Sequence, residues 1–224
     1  MGLLDILLGR TRPVVPDLDQ LFALPSAAVT LEAATRFTPT GQGAVCFATV
    51  EGSAFEQTHR EVQALLDADT ERTGPPVRLV RDDFGYSWLV SHRAPDELSA
   101  LVNDLHAVNS AMEVNGFGPQ LLCSLAGFEE RAAATAGDDA EDGRGAADAG
   151  DGVGGEGAGG GAGRRLGLVY LYKRGSFYPF APLPGPGQRR DNALELQVKA
   201  ALASDLRIEQ DLGRWFPVWG APGL

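Results

Sequence analysis

Two cysteines and three histidines are the side chains best suited to nucleophilic or metal chemistry. A catalytic thiol needs a histidine in the same pocket and a third group that orients it. Cys46 and Cys123 both lie in short apolar runs typical of strands, where a cysteine acts as a small buried hydrophobic residue. His106 adjoins an apolar helical stripe, and His59 and His92 fit surface positions. Because no spacing matches a zinc-ligand pattern, the sequence predicts neither thiol catalysis nor a metal site.

Two overlapping glycine strings, at residues 152–157 and 155–160, satisfy the G-x-G-x-x-G pattern of dinucleotide-binding proteins. That pattern binds a pyrophosphate because a strand delivers the glycines and the N-terminus of a helix receives the phosphates. Here the strings follow an acidic stretch, which would repel phosphate, and precede a predicted strand at residues 168–173. We interpret both strings as chance matches and expect no nucleotide cofactor.

Adjacent carboxylates could divide into the general acid and general base of a hydrolase. The local pairs are Asp82 with Asp83, Glu129 with Glu130, and Asp138 with Asp139. The first pair falls at a predicted turn, where aspartate stabilises the backbone locally, and the other two flank or occupy a glycine-rich segment. Ordinary solvated turns account for all three pairs. We therefore expect a protein that is not an enzyme and that needs no cofactor.

The glycine-rich segment at residues 132–165 is an insert between two folded parts of the chain. Gly or Ala occupies 22 of its 34 positions, and none of them is aromatic. Such a composition cannot bury enough apolar surface to offset the entropy of ordering, so we predict disorder. With seven acidic and three basic residues, the segment supplies about −4 of the formal net charge of −11. The remainder is only mildly acidic and has no basic stripe, which excludes a general nucleic-acid binder.

Hydrophobic periodicity predicts the elements that would position any site. Their order is helix, two strands, helix, two strands, helix, one strand, insert, two strands and a last helix. The boundaries are a helix at 18–24, a strand at 29–33, a turn at 38–41, strands at 44–50, 77–81 and 86–92, helices beginning near Ser53 and Pro95, strands at 121–128, 168–173 and 176–181, and a helix at 192–212. Short connections favour antiparallel pairing.

The predicted fold is a single α+β domain, in which an antiparallel sheet of hairpins packs against about four helices. The domain comprises residues 13–131 and 166–224, and the insert at 132–165 extends one hairpin tip. Residues 1–12 form a separate apolar N-terminal segment. The sequence contains no apolar run long enough to span a bilayer and no signal peptide. Two cysteines do not make a disulfide scaffold, so we expect a cytoplasmic protein.

Two apolar clusters are candidate interaction sites, and each has a structural and a functional interpretation. The N-terminal cluster either packs as a short helix on the domain or inserts into a membrane surface or partner groove, where its arginines would meet lipid phosphates. The C-terminal cluster either closes the core or faces a partner, since aromatic residues are enriched at binding hot spots. The residues are Leu3, Leu4, Ile6, Leu7, Leu8, Arg10 and Arg12 in the first cluster, and Trp215, Phe216 and Trp219 in the second.

Seven stretches of the chain, in the same order, resemble the PspA-associated protein family PspAB. They are MGLLDILLGR, LDQLFALPSAAVTL, PTGQGAVCF, DDFGYSWLV, NSAMEVNGFG, VYLYKRGSFYPFAP and RIEQDLGRWFPVW. The resemblance implies membership of a phage-shock or envelope-stress module, in which a coiled-coil PspA-type protein acts with accessory proteins, often beside an HtpX-like membrane metallopeptidase. It supplies no catalytic residues.

The resemblance favours a non-enzymatic accessory protein that binds a PspA-type partner, with the N-terminal cluster contacting the partner or the inner face of the membrane. The alternating layout of helices and antiparallel strands is also similar to secretion chaperones. The alternative is therefore a chaperone-like binding domain for exported or unfolded chains. That alternative predicts an exposed apolar groove on the sheet or beside the last helix, with Tyr86, Trp88 and Val90 not all fully covered.

Overall fold

The computed structural model describes residues 16–49, 52–67, 75–131 and 163–224. An antiparallel sheet of six strands packs against helices, which confirms the predicted α+β class. The strands are β1 (Phe37–Ala48), β2 (Arg78–Arg81), β3 (Tyr86–His92), β4 (Leu121–Glu130), β5 (Arg165–Leu171) and β6 (Ser176–Phe180), in the spatial order β2-β3-β1-β4-β5-β6. The α-helices of the described residues are α1 (Leu24–Thr35), α2 (Ser53–Asp67), α3 (Leu98–Val114) and α4 (Asn192–Ala201). Among these residues no helix is long and apolar enough to cross a bilayer.

Helices α2 and α3 form where apolar residues recur every three or four positions, and they bury that stripe against the sheet. Asn109 of α3 donates to Ser124 Oγ of β4 at 2.8 Å, and the Phe55 ring of α2 lies 5.4 Å from the Phe47 ring of β1. We call this side of the sheet the helical face. The buried stripe residues are Phe55, Val62 and Leu66 on α2, and Leu98, Leu101, Val102, Leu105, Val108 and Met112 on α3.

A buried ion pair fixes α3 against the end of β3. Arg93 Nη2 donates to Asp104 Oδ1 at 2.7 Å and Arg93 Nε donates to Oδ2 at 2.9 Å, while both side chains are less than 5% exposed. Ser91 Oγ donates to the same carboxylate. Removing an ion from water costs several kcal/mol, and each of these two charges helps to compensate the other.

The first predicted hairpin is wrong, because residues 29–33 belong to α1 rather than to a strand. Leu24, Ala27 and Leu31 follow helical spacing and are buried, whereas Val29 is 71% exposed. The alternation of apolar and polar residues that suggested a strand also fits one side of a helix. Burial of the helical stripe decides between the two structures.

The predicted turn at residues 38–41 is also wrong, since these residues lie inside β1. The strand accommodates the Pro-Thr-Gly sequence because its register against β4 shifts between Pro39 and Gly43. Gly41 has a φ of +73°, and a Cβ atom there would lie 2.1 Å from the Arg93 carbonyl oxygen. Glycine is therefore required by the close approach of two backbones, rather than by a chain reversal.

The last helix is shorter than the predicted 192–212, because α4 has ten residues. The chain after it becomes extended and runs beside β6. Phe177 N donates to Arg207 O at 2.8 Å, and Glu209 N donates to Phe177 O at 2.8 Å. Leu212, the last residue of the predicted helix, is 53% exposed. These hydrogen bonds satisfy the outer edge of β6, which would otherwise present unpaired backbone groups.

Strands β4 and β5 are paired up to the point where the insert interrupts them. Glu129 pairs with Arg165, and Glu130 N donates to Arg164 O at 2.9 Å. The last two residues of the predicted insert thus belong to the hairpin. Residues 132–162 lie outside the described residues, and the division into one domain with a disordered insert stays a prediction.

Candidate functional site

The face of the sheet opposite the helices carries an apolar groove of about 840 Å³. The C-terminal residues 216–219 form one wall, and the turn between β2 and β3, with Asp82 and Phe84, lies at the other side. The strands between them form the floor. A concave, mostly apolar surface with a few polar groups is the usual character of a binding site.

The register of the paired strands determines which side chains form the floor of the groove. Trp88 of β3 is the partner of Cys46 of β1, which in turn is the partner of Cys123 of β4. Because side chains alternate between faces, the three residues point to the same side of three neighbouring strands. Tyr86, two positions before Trp88, lies on that side too and is 43% exposed at the rim.

The C-terminal wall is fastened to the sheet by aromatic residues. Trp215 is buried, its ring centroid lies 6.1 Å from that of Tyr178, and its Nε1 donates to Glu209 O at 3.0 Å. Tyr178 OH donates to the Phe216 carbonyl at 2.6 Å, and burial raises the pKa of this hydroxyl, which keeps the donor protonated. Trp219 packs edge-on against the Phe180 ring at 4.9 Å.

The three members of the predicted C-terminal aromatic cluster thus differ in how far they are buried. Trp215 closes the core, and Trp219 is half-buried where it lines the groove. Phe216 is 60% exposed, although its backbone is held by Tyr178. The exposed ring of Phe216 is the part of the cluster that a partner could cover.

Asp82 organises the turn at the groove. Its Oδ1 accepts from the backbone N–H groups of Phe84 and Tyr86 at 2.9 and 2.8 Å. Its Oδ2 accepts from Trp88 Nε1 at 2.9 Å. One carboxylate therefore fixes both the turn and the orientation of the largest ring on the floor. This agrees with the interpretation of the Asp82-Asp83 pair as a turn.

Three cationic side chains, Lys173, Arg174 and Arg214, also line the groove. Arg174 Nε lies 3.1 Å from Glu209 Oε2, and Arg214 Nε lies 3.2 Å from an Asp211 carboxylate oxygen. Two of the three cations thus have carboxylate partners within the chain. The groove accordingly offers apolar contact more than net charge.

The two thiols lie on the floor of the groove and not beside a histidine. Cys46 and Cys123 are 4% and 6% exposed. The pKa of Cys46 is raised, first because it hydrogen-bonds Cys123 and second because it is buried. His59 and His106 lie on α2 and α3, on the helical face. His92 lies on the groove side of β3 but pairs with Gln42, four residues or roughly 13 Å along β1 from Cys46. The sequence predicted that both cysteines lie in strands, but it did not predict that they are neighbours. The local sequence of β1 and of β4 does not determine the register in which the two strands pair.

The predicted N-terminal contact residues lie outside the described residues. They are Leu3, Leu4, Ile6, Leu7, Leu8, Arg10 and Arg12. The described chain begins beside the β5–β6 turn, where the Asp17 carbonyl accepts from Tyr170 OH at 2.7 Å.

Comparison with known proteins identifies the family. Searches of curated proteins and of solved structures gave no match. A family model described as PspA associated protein B matches residues 1–223, which confirms the resemblance found in the sequence. The family name indicates association with PspA, and an accessory role is consistent with it. The chain belongs to the PspAB family.

Proposed function

We propose that this protein is a non-enzymatic accessory protein of the envelope-stress response that binds a PspA-type coiled-coil partner through the apolar groove. The family assignment supports the partner, and the groove supports the mode of binding. Amphipathic helices commonly bind by placing their apolar stripe in a groove of this kind. A coiled-coil protein offers such stripes along its length.

The observation that carries the proposal is a set of aromatic rings exposed around the groove. Phe84, Tyr86 and Phe216 are 55%, 43% and 60% exposed. Full burial of a large apolar side chain contributes about 1.5–3 kcal/mol. Covering these half-exposed rings would contribute roughly 1 kcal/mol each, or about fivefold each in Kd.

Three further parts of the proposal rest on the sequence and the resemblance. The protein would act in the cytoplasm, at the inner face of the membrane. Its N-terminal cluster would make a second contact with the partner or with anionic lipid, because leucines followed by Arg10 and Arg12 suit an interfacial segment. An HtpX-like membrane metallopeptidase is a candidate second partner.

Binding of the purified PspA-type partner to groove variants tests the central proposal. We expect Tyr86→Ser and Phe216→Ser each to raise Kd about fivefold, measured by calorimetry, with the double variant near thirtyfold. Val29→Ser and Val114→Ser are matched controls, because these side chains are 71% and 86% exposed on α1 and α3. Equal effects of groove and control variants would exclude the groove as the site.

Deletion of residues 1–12 tests the N-terminal contact separately. We expect the shortened protein to lose binding to anionic vesicles, co-purification with the partner, or both. If both readouts are unchanged, the N-terminal cluster has no role as a contact.

The alternative function, a chaperone-like binding domain for exported or unfolded chains, also draws support from the groove. The groove lies on the sheet, and Tyr86 at its rim is 43% exposed while Trp88 and Val90 are buried. Suppression of aggregation of an unrelated unfolded protein distinguishes the two functions. The chaperone function predicts suppression that Phe216→Ser weakens, whereas the accessory function predicts binding of the PspA-type partner alone.

A further inference from the structure

The only two cysteines of the chain, Cys46 and Cys123, are directly opposed in the centre of the sheet. Opposed Cα atoms in an antiparallel pair lie about 5.5 Å apart in hydrogen-bonded pairs and about 4.5 Å apart in the others. A disulfide requires a Cα separation of about 4.4–6.8 Å. Either kind of pair meets this requirement on the Cα separation.

Both side chains also point to the same side of the sheet, because opposed residues of paired strands share a face. They line the groove floor and are 4% and 6% exposed, so a small reagent reaches them through the groove. Hydrogen bonding to Cys123 is the main reason that the pKa of Cys46 is raised. Two residues far apart in sequence are thus placed as a closely spaced dithiol.

We propose that Cys46 and Cys123 form a redox-active dithiol, which a low-molecular-weight disulfide oxidises to a cross-strand disulfide on the groove floor. The dithiol reacts in this way whatever the identity of the protein partner. Its chemistry is thiol–disulfide exchange, and the reagents it takes are small disulfides.

One of the two thiols loses its proton to solvent and attacks the reagent as a thiolate. A bond forms between its Sγ and one sulfur of the reagent, and the other sulfur leaves as a thiolate that takes up a proton. The second cysteine then loses its proton to solvent and attacks the Sγ of the first, which expels the second small thiol. In total, two protein thiols become one disulfide, and one small disulfide is reduced to two thiols.

Glutathione redox buffers test the proposal on the full-length, folded protein. After equilibration, the sample is quenched with acid, free thiols are alkylated with N-ethylmaleimide, and the intact mass is measured. We expect the reduced protein to carry two alkyl groups and the oxidised protein none, with no glutathione retained and no dimer on a non-reducing gel. The oxidised form should also melt roughly 5–10 °C higher, because the bond closes a long loop between β1 and β4.

Single substitutions separate the two steps. Cys46→Ser and Cys123→Ser should each stop at a glutathione adduct on the remaining cysteine, since the resolving thiol is missing. Two alkylated thiols in native wild-type protein at every buffer ratio would overturn the proposal, as would a disulfide that forms only after denaturation or only between molecules.

Discussion

Replacing residues 132–162 with a short Asn-Gly turn should stabilise the protein. The ends to be joined are already close, because Glu129 pairs with Arg165 and Glu130 N donates to Arg164 O. A two-residue turn of this type matches the twist of an antiparallel hairpin. The change removes a segment whose composition predicts no packing role, and it leaves both strands intact.

The magnitude follows from loop-closure entropy. Shortening a flexible loop from 31 residues to about four reduces the closure cost by (3/2)RT times the logarithm of the length ratio, about 2 kcal/mol. For a protein of this size that corresponds to a rise in Tm of roughly 4–8 °C.

A longer replacement, of residues 132–165, is the matched control. It also removes Arg165, the first residue of β5 and the partner of Glu129, and Arg164. Arg164 Nε lies 2.8 Å from Glu130 Oε2, and its guanidinium lies 5.8 Å from the centre of the Phe37 ring. A partly exposed ion pair and a cation–π contact together contribute about 1–2 kcal/mol. That loss offsets most of the entropy gain, so the longer deletion should leave Tm close to that of the wild type.

Urea and thermal unfolding, followed by circular dichroism, give the comparison. A Tm of the shorter deletion below that of the wild type would refute the idea that the segment makes no stabilising contacts. Two separate transitions, or two fragments that fold independently after cleavage within the segment, would refute the single-domain interpretation.

Three further predictions concern stability. The Arg164 and Arg36 side chains hold the pKa of Glu130 at about 2. The contribution of ionised Glu130 to the free energy of unfolding is therefore present above pH 4.5 and is lost as the pH falls towards 2. Glu130→Gln should flatten the pH dependence of the free energy of unfolding in that window, and Arg164→Gln should do the same. Asp104→Ala should cost about 3–5 kcal/mol in urea unfolding, because it removes a carboxylate that pairs with the buried Arg93, whereas Val114→Ala should change stability by less than about 0.5 kcal/mol. Tyr178→Phe should cost about 1 kcal/mol through loss of the hydrogen bond to Phe216 O, and an unchanged free energy of unfolding would show that this bond contributes nothing net.

Local periodicity in the sequence predicted the elements whose burial pattern is unambiguous. The apolar spacing on α2 and α3, the hairpin of β2 and β3, and the hairpin of β5 and β6 all correspond to the structure. It failed for residues 29–33, where five residues fit both a helix and a strand. The choice of helix over strand depends on the burial of Leu24 and Leu31 against residues from elsewhere in the chain, which local sequence does not reveal.

The groove could not be predicted because its parts come from separate segments. Cys46, Trp88 and Cys123 become neighbours only through the order β3-β1-β4, in which β1 pairs with strands that follow it by whole helices. The wall at residues 216–219 depends on the early end of α4, which brings Trp215 onto Tyr178. Composition did indicate an aromatic cluster near the C-terminus, but not which ring would stay exposed.

Binding in the groove and binding through the N-terminal cluster should differ in their response to salt. Arg174 and Arg214 in the groove already face Glu209 and Asp211, so a partner gains affinity there mainly by covering aromatic rings such as Phe216. Apolar burial is little affected by screening, and we expect Kd for the PspA-type partner to change less than about twofold between roughly 0.1 and 0.5 M NaCl.

Attraction between N-terminal arginines and anionic lipid falls steeply over the same range, because it acts across solvent and is screened. Titrations of the full-length protein with the partner and with anionic vesicles, each at both salt concentrations, compare the two modes. A partner affinity that falls tenfold or more with salt, and loses this dependence when residues 1–12 are removed, would place the partner contact on the N-terminal cluster instead of the groove.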